Sequence, residues 1–433
     1  MTHLIKTATR FIVKFLGLSL SVSFTFYTSL IIANDDIAGL PLAQIIVEGN
    51  AKTQTRFVLK WAKISVGDSI NQIKLDQTKQ NLLDTELFKE VILRTEMRQS
   101  KPTLIIQLKE KYYTLLLPRL SRNGDGDIKL GVNLKLFNIN GANQKLNLLV
   151  EKSELNNGDD GRRYRINYDF PQFNHPYRYH ISVSDSVKNT KTNDFRNIEY
   201  ENIASISLTR DWPLLSFNYP LSITTSLTYQ NIYLKSAYPE LLGKLDAGKY
   251  SRLGFKVEYD AVHSQQYRRY GYFHSLDLQQ GIKWVGSDHT SSIIKIESRF
   301  YRPLNQLDNF NSRLLFGWSS SSPFNVPYYE LGGSSTLRGL EQESIEGDAL
   351  VLGNFEYIKG FENYPSFRLS SFIDVGNVYE DITKIDLIDL QTSVGFGGRW
   401  KLTSFVKTDL FVDYAYNKNT HNSRVYGGTS LTF

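Results

Sequence analysis

Most of the chain, from residue 113 onward, consists of short stretches in which apolar and polar residues alternate. Polar turns such as 156–161 and 188–194 separate these stretches. Alternation with period two is typical of β-strands, which place successive side chains on opposite faces of a sheet. The clearest strands are the last two, at 409–416 and 424–433. The pattern therefore predicts a large antiparallel β-sheet whose strands each have one polar and one apolar face.

Residues 42–112 follow a different pattern, which predicts a small β-α-α-β-β domain. A turn pair, Gly49–Asn50, ends the first strand, Thr53 or Thr55 is placed to cap the first helix, and Gly67 ends that helix. The predicted elements are a strand at 44–48, a helix at 57–64, a helix that includes Leu75 and Leu82, and strands at 88–96 and 104–108. A length of about 70 residues is just enough to support a separate hydrophobic core.

The first 33 residues have the features of an export signal. Lys6, Arg10 and Lys14 form a basic region, and a long apolar and hydroxylated run from Phe15 to Ala33 follows it. The small residue Ala33 stands before a polar sequence, so we expect cleavage there. An uncleaved membrane anchor is the alternative, because the apolar run is long for a signal.

Composition narrows the class of protein. Tyrosine and phenylalanine are abundant, aromatic residues make up 13% of the chain and cysteine is absent. Mean hydropathy is −0.32, which excludes a bundle of membrane helices but fits a transmembrane β-barrel with a polar interior. The formal charge is +6, and no polybasic cluster lies outside the first 33 residues, so we expect no nucleic-acid partner.

The segment "IIVEGNAKTQTRFVLKWAKISVGDSI", followed by "LLDTELFKEVIL" and "TLIIQLKEK", resembles a POTRA domain. Such domains precede the barrels of BamA/TamA-like outer-membrane assembly factors and of two-partner secretion transporters. The resemblance implies one periplasmic POTRA domain at 34–112, with Gly49, Asn50 and Gly67 as its turn residues. Only the eight residues 34–41 lie between the expected cleavage site and Leu42, so we expect a single unit where most relatives carry two or more.

Two further motifs resemble the same superfamily. The segment Gly332 to Leu340 resembles a family loop with the pattern Val/Ile-Arg-Gly-Phe/Tyr, keeping Arg338 and Gly339 but with Leu340 in place of the aromatic residue. The family's F-x-D-x-G strand motif is matched by Phe372, Asp374 and Gly376. The resemblance implies that the loop folds into the barrel and that Arg338 pairs with Asp374. We call this predicted contact the loop lock.

The predicted fold is thus a transmembrane antiparallel β-barrel at 113–433, preceded by a signal peptide at 1–33 and the POTRA domain. A length of about 20 residues per strand and connection gives about 16 strands. The barrel must close, because unpaired backbone groups are costly in lipid. The terminal strand, with Leu431 and Phe433, resembles the recognition signal of outer-membrane barrels.

Other candidate sites are weak. Glu356, Arg399, Asp409 and Asp413 are expected mostly to be ordinary charges of the lumen wall. Asn123, Asp125 and Asp127 resemble the start of a calcium loop but lack its glycine and its glutamate. The sequence GGSST at 332–336 approaches a nucleophile elbow but lacks the final glycine. We therefore expect no enzymatic activity, no cofactor and no metal.

Three functions remain open. The first is insertion or assembly of outer-membrane proteins, in the manner of BamA and TamA. The second is a polypeptide-translocating pore of the two-partner secretion type, and the third is a passive porin or surface antigen. For the first two, the expected partners are unfolded or extended client polypeptides, either outer-membrane or secreted proteins. Outer-membrane lipid is a further partner, with accessory lipoproteins as an open possibility.

Overall fold

The computed structural model describes residues 39–122, 128–154, 160–171, 177–192, 195–212, 220–236, 246–265, 267–320, 328–341, 343–405 and 409–429. The predicted signal peptide, the calcium-like segment and the C-terminal residues Leu431 and Phe433 lie outside these ranges.

The N-terminal domain has the predicted β-α-α-β-β order. Its elements are β1 (Gln44–Glu48), α1 (Thr55–Ala62), α2 (Gln72–Asp84), β2 (Phe88–Arg98) and β3 (Lys101–Glu110). The strands form one sheet in the order β1-β3-β2, with β1 parallel and β2 antiparallel to β3. Leu82, Leu104 and Ile106 are buried between the helices and the sheet, at the centre of a separate hydrophobic core.

The turn residues have the roles that turns require. Gly49 has φ +81°, and a β-carbon there would lie 2.0 Å from the carbonyl oxygen of Leu108, so only glycine fits. The Asn50 side chain donates to the carbonyl oxygen of Thr53 at 2.8 Å. Gly67 also has a positive φ, but it does not end the first helix as predicted: α1 ends at Ala62, and Lys63 takes the left-handed conformation after it. Beside Gly67, the backbone N–H of Ser65 donates to the Asp68 carboxylate, which lowers the pKa of that group.

The predicted start of the first helix is wrong. Helix α1 begins at Thr55 after Gln54, and no side chain caps its first turn. Thr53 is instead buried, with its hydroxyl bonded to Glu110 and Asn138. Asn138 belongs to the barrel, so packing against the second domain takes the Thr53 side chain away from the capping position.

Among the described residues, the rest of the chain forms a barrel of sixteen long strands and the short strand β12, with β16 and β17 as a separate hairpin, which confirms the predicted fold class. In chain order the strands are β4 (Thr114–Arg122), β5 (Ile128–Ile139), β6 (Gln144–Glu154), β7 (Asp160–Phe170), β8 (Tyr177–Thr192), β9 (Phe195–Trp212), β10 (Leu221–Ser236), β11 (Asp246–Asp260), β12 (His263–Ser264), β13 (Arg269–Gly281), β14 (Ser292–Pro303), β15 (Asn309–Ser319), β16 (Tyr329–Leu331), β17 (Ile345–Gly347), β18 (Ala349–Gly360), β19 (Phe367–Tyr379), β20 (Gln391–Lys401), β21 (Asp409–Asn417) and β22 (Ser423–Thr429).

The barrel closes where its last strand, β22, meets its first, β4. We call this junction the seam. Each strand of the barrel wall runs antiparallel to the next one, with β15 pairing directly to β18. Within the described ranges β4 has a register with β5 and β22 has one with β21, whereas none is described across the seam.

Side chains alternate between the lumen and the outer surface, as the period-two pattern predicts. On β19, Phe372 and Asp374 face inward and are buried, while Ile373 between them is exposed on the outside. On β4, Leu115 and Leu117 face inward, and Leu116 is exposed. Apolar residues on the outer surface suit contact with lipid.

No helix in the described part of the chain is long and apolar enough to span a membrane.

The N-terminal domain contacts three turns at the end of the barrel where β4 begins. The backbone N–H of Gln54 donates to the Gly141 carbonyl oxygen between β5 and β6, and that of Tyr112 donates to the Ser404 carbonyl oxygen between β20 and β21. The Asp84 carboxylate bonds His263 and the backbone N–H of Ser264, at 2.8 and 3.0 Å. Because these turns are spread around the ring, the domain reaches across this end of the barrel.

Candidate functional site

A long connection between β15 and β18 turns back into the lumen. The hairpin of β16 and β17 forms its base, and residues 332–340 form its tip. Leu337 and Leu340 in the tip pack with Leu331 and with Leu352 of the wall in a buried cluster. Apolar packing thus fixes the loop, and the polar residues of its tip are held at the inner wall.

Arg338 makes a bidentate ion pair with Asp374 of β19. Its Nε and Nη2 atoms lie 2.7 and 2.8 Å from the two carboxylate oxygens, and its backbone N–H lies 3.2 Å from one of them. Both side chains are almost fully buried, with exposures of 1% and 0%. Two parallel charge-assisted bonds fix orientation as well as distance. Whether this contact acts as a lock remains a prediction.

Further wall residues complete the surroundings of Arg338. Its Nη1 donates to Asp413 of β21 at 3.1 Å, and its guanidinium carbon lies 3.3 Å from the centroid of the Phe372 ring. A cation over an aromatic face is stabilised by the ring electrons, especially where water is excluded. Phe372, from the strand motif, therefore contributes a stacking surface to the site.

The expectation that Glu356, Arg399 and Asp413 are ordinary wall charges is wrong. Arg399 donates to both of these carboxylates, and its Nη2 atom lies 3.0 Å from Asp413. Arg338 approaches Glu356 to 3.7 Å. The strand register brings β18, β20 and β21 around the loop tip, which spacing in sequence does not reveal. Asp409 lies apart, 3.8 Å from Arg368.

The five charged groups form one buried cluster, which we call the ionic cluster: Arg338, Glu356, Asp374, Arg399 and Asp413. Burying charges is costly unless each is paired and hydrogen-bonded. The alternation of cations and carboxylates meets that requirement. Removing Arg338 would leave the Asp374 carboxylate without its bidentate partner.

Asn354 ties the loop backbone to the same carboxylate. Its side-chain amide donates to Asp374 at 2.8 Å and to the carbonyl oxygen of Thr336 at 2.7 Å. The Thr336 hydroxyl in turn donates to the carbonyl oxygen of Gly332 at 2.9 Å. The loop is thus bonded to the wall through its main chain as well as through Arg338.

Gly339 and Leu340 connect the loop to the last strand. The Gly339 N–H donates to the Tyr426 hydroxyl at 3.0 Å, and that hydroxyl donates to the Leu340 carbonyl oxygen at 2.5 Å. Beside them, Arg424 of β22 pairs with Glu341. Leu340, which replaces the family's aromatic residue, packs in the apolar cluster. The loop therefore contacts β22, one of the two strands of the seam.

Small residues make room for these contacts. A β-carbon at Gly395 would lie 2.3 Å from the Phe372 ring, and one at Gly397 would lie 2.0 Å from Asp413. At Gly376, the last residue of the strand motif, it would lie 2.6 Å from a backbone oxygen of Val351. Alternate glycines in a strand often mark close approach by another group. That signal in "VGFGGRW" could have been found in the sequence.

The site joins the loop tip to the barrel wall through ion pairs and hydrogen bonds. Its carboxylates are engaged by guanidinium groups, and within the described ranges no three His, Asp or Glu side chains are placed to bind a metal ion. The predicted turn residues Gly49, Asn50 and Gly67 lie in the N-terminal domain, away from the ionic cluster. Asn354 and Tyr426 were missed in the sequence, and Asp413 was named there only as a wall charge, because only the register brings these residues to the loop.

Comparison with protein families gives two matches. The model of the Omp85 superfamily domain matches residues 138–423, and the POTRA model, described as surface antigen variable number repeat, matches residues 41–111. No curated protein matches the chain.

Solved structures of similar fold include three barrels. BamA from Haemophilus ducreyi lacking POTRA domains 1–3 is 15% identical with a TM-score of 0.52, and the match covers 90% of this chain and 84% of that one. CdiB from Acinetobacter baumannii is 17% identical, with a TM-score of 0.60 and coverage of 90% and 73%. CdiB from Escherichia coli is 15% identical, with a TM-score of 0.61 and coverage of 91% and 76%. At these identities the likeness concerns the fold. Since the Omp85 model matches well over half of its length, the chain belongs to the Omp85 superfamily.

Proposed function

We propose that this protein inserts or assembles client polypeptides in the bacterial outer membrane, with its POTRA domain in the periplasm. The observation that carries the proposal is the connection from the ionic cluster through the loop to β22. Arg338 holds the loop to the wall, and the loop holds Tyr426 and Arg424 of the last strand. The loop is therefore positioned to hold β22 in place for a client strand that enters at the seam.

The first step is capture of an extended client by the POTRA sheet. Strands β1 and β2 are its two edges, each pairing only with β3 among the described residues. An edge strand presents backbone N–H and carbonyl groups that a second chain can pair with, without demanding a particular sequence. This mode of binding suits a factor whose clients share a strand-forming tendency.

The second step takes place at the seam, where β4 contains a proline. The register with β5 runs without interruption through Leu117, Pro118 and Arg119. Proline has no N–H and is confined to positions where the backbone nitrogen faces away from the paired strand. The Pro118 nitrogen therefore faces β22 and offers it no hydrogen bond. A seam weakened in this way is suited to opening and pairing with a client strand.

Folding of a client in liposomes tests the proposal. The purified full chain would be reconstituted and mixed with a urea-unfolded barrel protein, whose folding is followed by heat-modifiable gel mobility. We expect faster folding than in empty liposomes of the same lipid. Equal rates in both would contradict insertion and favour secretion or a passive pore.

A translocation pore of the two-partner secretion type is the second candidate. The polar wall of the lumen away from the loop supports it, because a hydrophilic chain could pass there. Secretion of a co-expressed exoprotein, together with no effect on client folding, would favour this candidate.

The POTRA domain matched at residues 41–111 offers little surface for a multi-subunit machine, so we propose a specialised factor. Co-purification of accessory lipoproteins at one-to-one stoichiometry would contradict that part of the proposal.

A further inference from the structure

Three pairs of hydroxyl side chains face one another in succession across β9 and β10. The register pairs Thr209 with Thr224, Ser207 with Ser226, and Ser205 with Thr228. In the first pair the two hydroxyl oxygens are 2.7 Å apart. We call these six residues the hydroxyl wall. Serine is not enriched in strands, so its repetition here is not explained by strand formation alone.

The hydroxyl wall faces the lumen. The residues between its members, such as Ile206 and Leu227, are exposed on the outer surface. The wall continues on the same face into Gln230, whose amide donates to Glu201 at 2.6 Å and accepts from Arg252 at 2.6 Å. All six hydroxyl residues are half-buried, so solvent in the lumen reaches them.

The hydroxyl wall lies opposite the ionic cluster. In the sixteen-strand ring, β9 and β10 are eight strands away from β20 and β21, which is half of the circumference. The loop and its charges occupy one side of the lumen, and the six hydroxyl side chains lie on the other, where Arg252 and Lys256 of β11 are register partners of Thr228 and Thr224. On β11, Gly254 faces Ser226, and Lys256 and Arg252 flank that glycine.

This surface suits the backbone of a moving chain. An extended polypeptide presents one N–H and one carbonyl group per residue, and each hydroxyl can donate and accept. Hydrogen bonds can therefore be exchanged in any register. The wall itself carries no charge that would trap a charged residue and no large apolar group that would hold an apolar one.

We propose that hydrophilic polypeptide segments crossing the barrel pass in extended form along the hydroxyl wall. This inference rests on the proposed function only in so far as the protein moves polypeptides. It applies both to a secreted chain and to the external loops of an inserted client, which must also cross the membrane. The occupant is an extended, polar, uncharged or weakly charged peptide.

Site-specific crosslinking tests this proposal, because the chain has no native cysteine. Ser207→Cys would carry a benzophenone-maleimide group on the wall. Gln279→Cys on β13 is the lumen-facing control, and Ile206→Cys, which is exposed on the outside, is the second control. The full chain in liposomes would be illuminated with an unstructured fluorescent peptide rich in glycine, serine and asparagine.

We expect crosslinking from position 207 to exceed that from 279 by about fivefold or more, corresponding to about one net hydrogen bond, with none from 206. Equal yields at 207 and 279, or none at either, would overturn the proposal. Client folding measured on the same liposomes distinguishes failure of the hydroxyl-wall proposal from failure of the proposed function. Accelerated folding without crosslinks at 207 would leave the proposed function intact while overturning the hydroxyl wall.

A paired substitution adds a test that does not depend on the label. Thr209→Val with Thr224→Val keeps the shape of the wall and removes two hydroxyls. We expect crosslinking from a label at Ser207→Cys to fall severalfold, about the effect of one or two weak hydrogen bonds. Unchanged crosslinking in this variant would contradict a role for the hydroxyls.

Discussion

At the scale of single residues, Arg338 is the group on which the site depends. A guanidinium group cannot lose its charge in a protein. When it is buried, the surrounding residues must therefore supply carboxylates and other groups that stabilise a positive charge. Asp374, Asp413 and Phe372 provide two carboxylates and an aromatic face. Lysine could supply the positive charge, but it could not make the bidentate hydrogen bonds or stack a planar group on the Phe372 ring.

We expect Arg338→Ala to loosen the loop strongly, because breaking a buried ion pair costs about 3–5 kcal/mol. Arg338→Lys should have an intermediate effect. Hydrogen exchange of residues 332–341 in detergent would measure the opening of the loop.

Arg178→Ala is the matched control for this substitution. Its guanidinium pairs with Asp211 at 2.7 Å but is 44% exposed, so its loss should cost about 1 kcal/mol or less. Similar exchange in Arg338→Ala and Arg178→Ala would show that the ionic cluster does not hold the loop.

Gly339 is a second sensitive position. Its φ is +92°, and a β-carbon would lie 3.0 Å from the Asn417 nitrogen and from the Ser393 hydroxyl. We expect Gly339→Ala to weaken the contact with Tyr426 by at least about 1 kcal/mol, since left-handed backbone is costly for alanine. Faster hydrogen exchange at β22 would reveal the loss. Gly67→Ala, with a positive φ in the other domain and no close neighbour, is the control.

At the scale of elements, the two domains are connected by a few polar contacts at the barrel rim. The Asp84 carboxylate at the end of α2 binds His263 and Ser264 of the short strand β12. Glu86 accepts from the Ser264 hydroxyl at 2.8 Å. Such contacts hold the POTRA domain against the barrel end, together with the packing of Phe137 of β5 against the core of the domain.

We expect Asp84→Ala to release the POTRA domain from the β12 turn while leaving both domains folded. Limited proteolysis should then cut faster at residues 263–265 and 267–269, which are half-buried while the domain is docked. Asp76→Ala is the control, because Asp76 lies on the same helix and bonds only Gln72 within the described contacts. Equal cleavage in the two variants would contradict a docking role for Asp84.

The seam offers another element-scale prediction. Pro118→Ala restores an N–H on the side of β4 that faces β22, so we expect a more firmly closed barrel by about 1 kcal/mol. Slower hydrogen exchange in β4 and β22, with slower client folding, would follow. Pro303→Ala, at the end of β14, should change neither. Unchanged exchange at the seam in Pro118→Ala would contradict the assigned orientation.

The elements themselves could largely be predicted from the sequence. Period-two alternation indicated the barrel strands, and short apolar runs separated by turn residues indicated the POTRA domain. The start of α1 could not be predicted, because Thr53 is drawn to Glu110 and Asn138 rather than to the helix. A threonine that could cap a helix does not do so when residues distant in the sequence bind the same hydroxyl.

At the scale of the whole molecule, the closed barrel brings together residues that are far apart in the sequence. The Arg338 and Asp374 motifs could be recognised in the sequence, but Glu356, Arg399 and Asp413 reach the same point only through the register of β18, β20 and β21. The same closure sets the hydroxyl wall opposite the ionic cluster. One side of the lumen is thus occupied by the loop, and the hydroxyl wall lies on the other side between charged residues of β9 and β11.

We propose that these parts of the molecule act one after another. The POTRA domain presents edge strands for an extended client, the loop controls β22 from inside, and the seam or the open side of the lumen receives the chain. Each part depends on a different set of contacts, so each can be disabled separately. The central claim is that the ionic cluster controls this activity.

The most direct test is client folding by Arg338→Ala in liposomes, compared with the unchanged protein and with Arg178→Ala. We predict that Arg338→Ala slows client folding by at least about tenfold, because a released loop no longer holds β22 in place for a client strand and the lost ion pair is worth more than about 1.4 kcal/mol. Arg178→Ala should stay close to the unchanged protein. Client folding by Arg338→Ala at the unchanged rate, in a barrel whose loop is shown by hydrogen exchange to be released, would contradict the account.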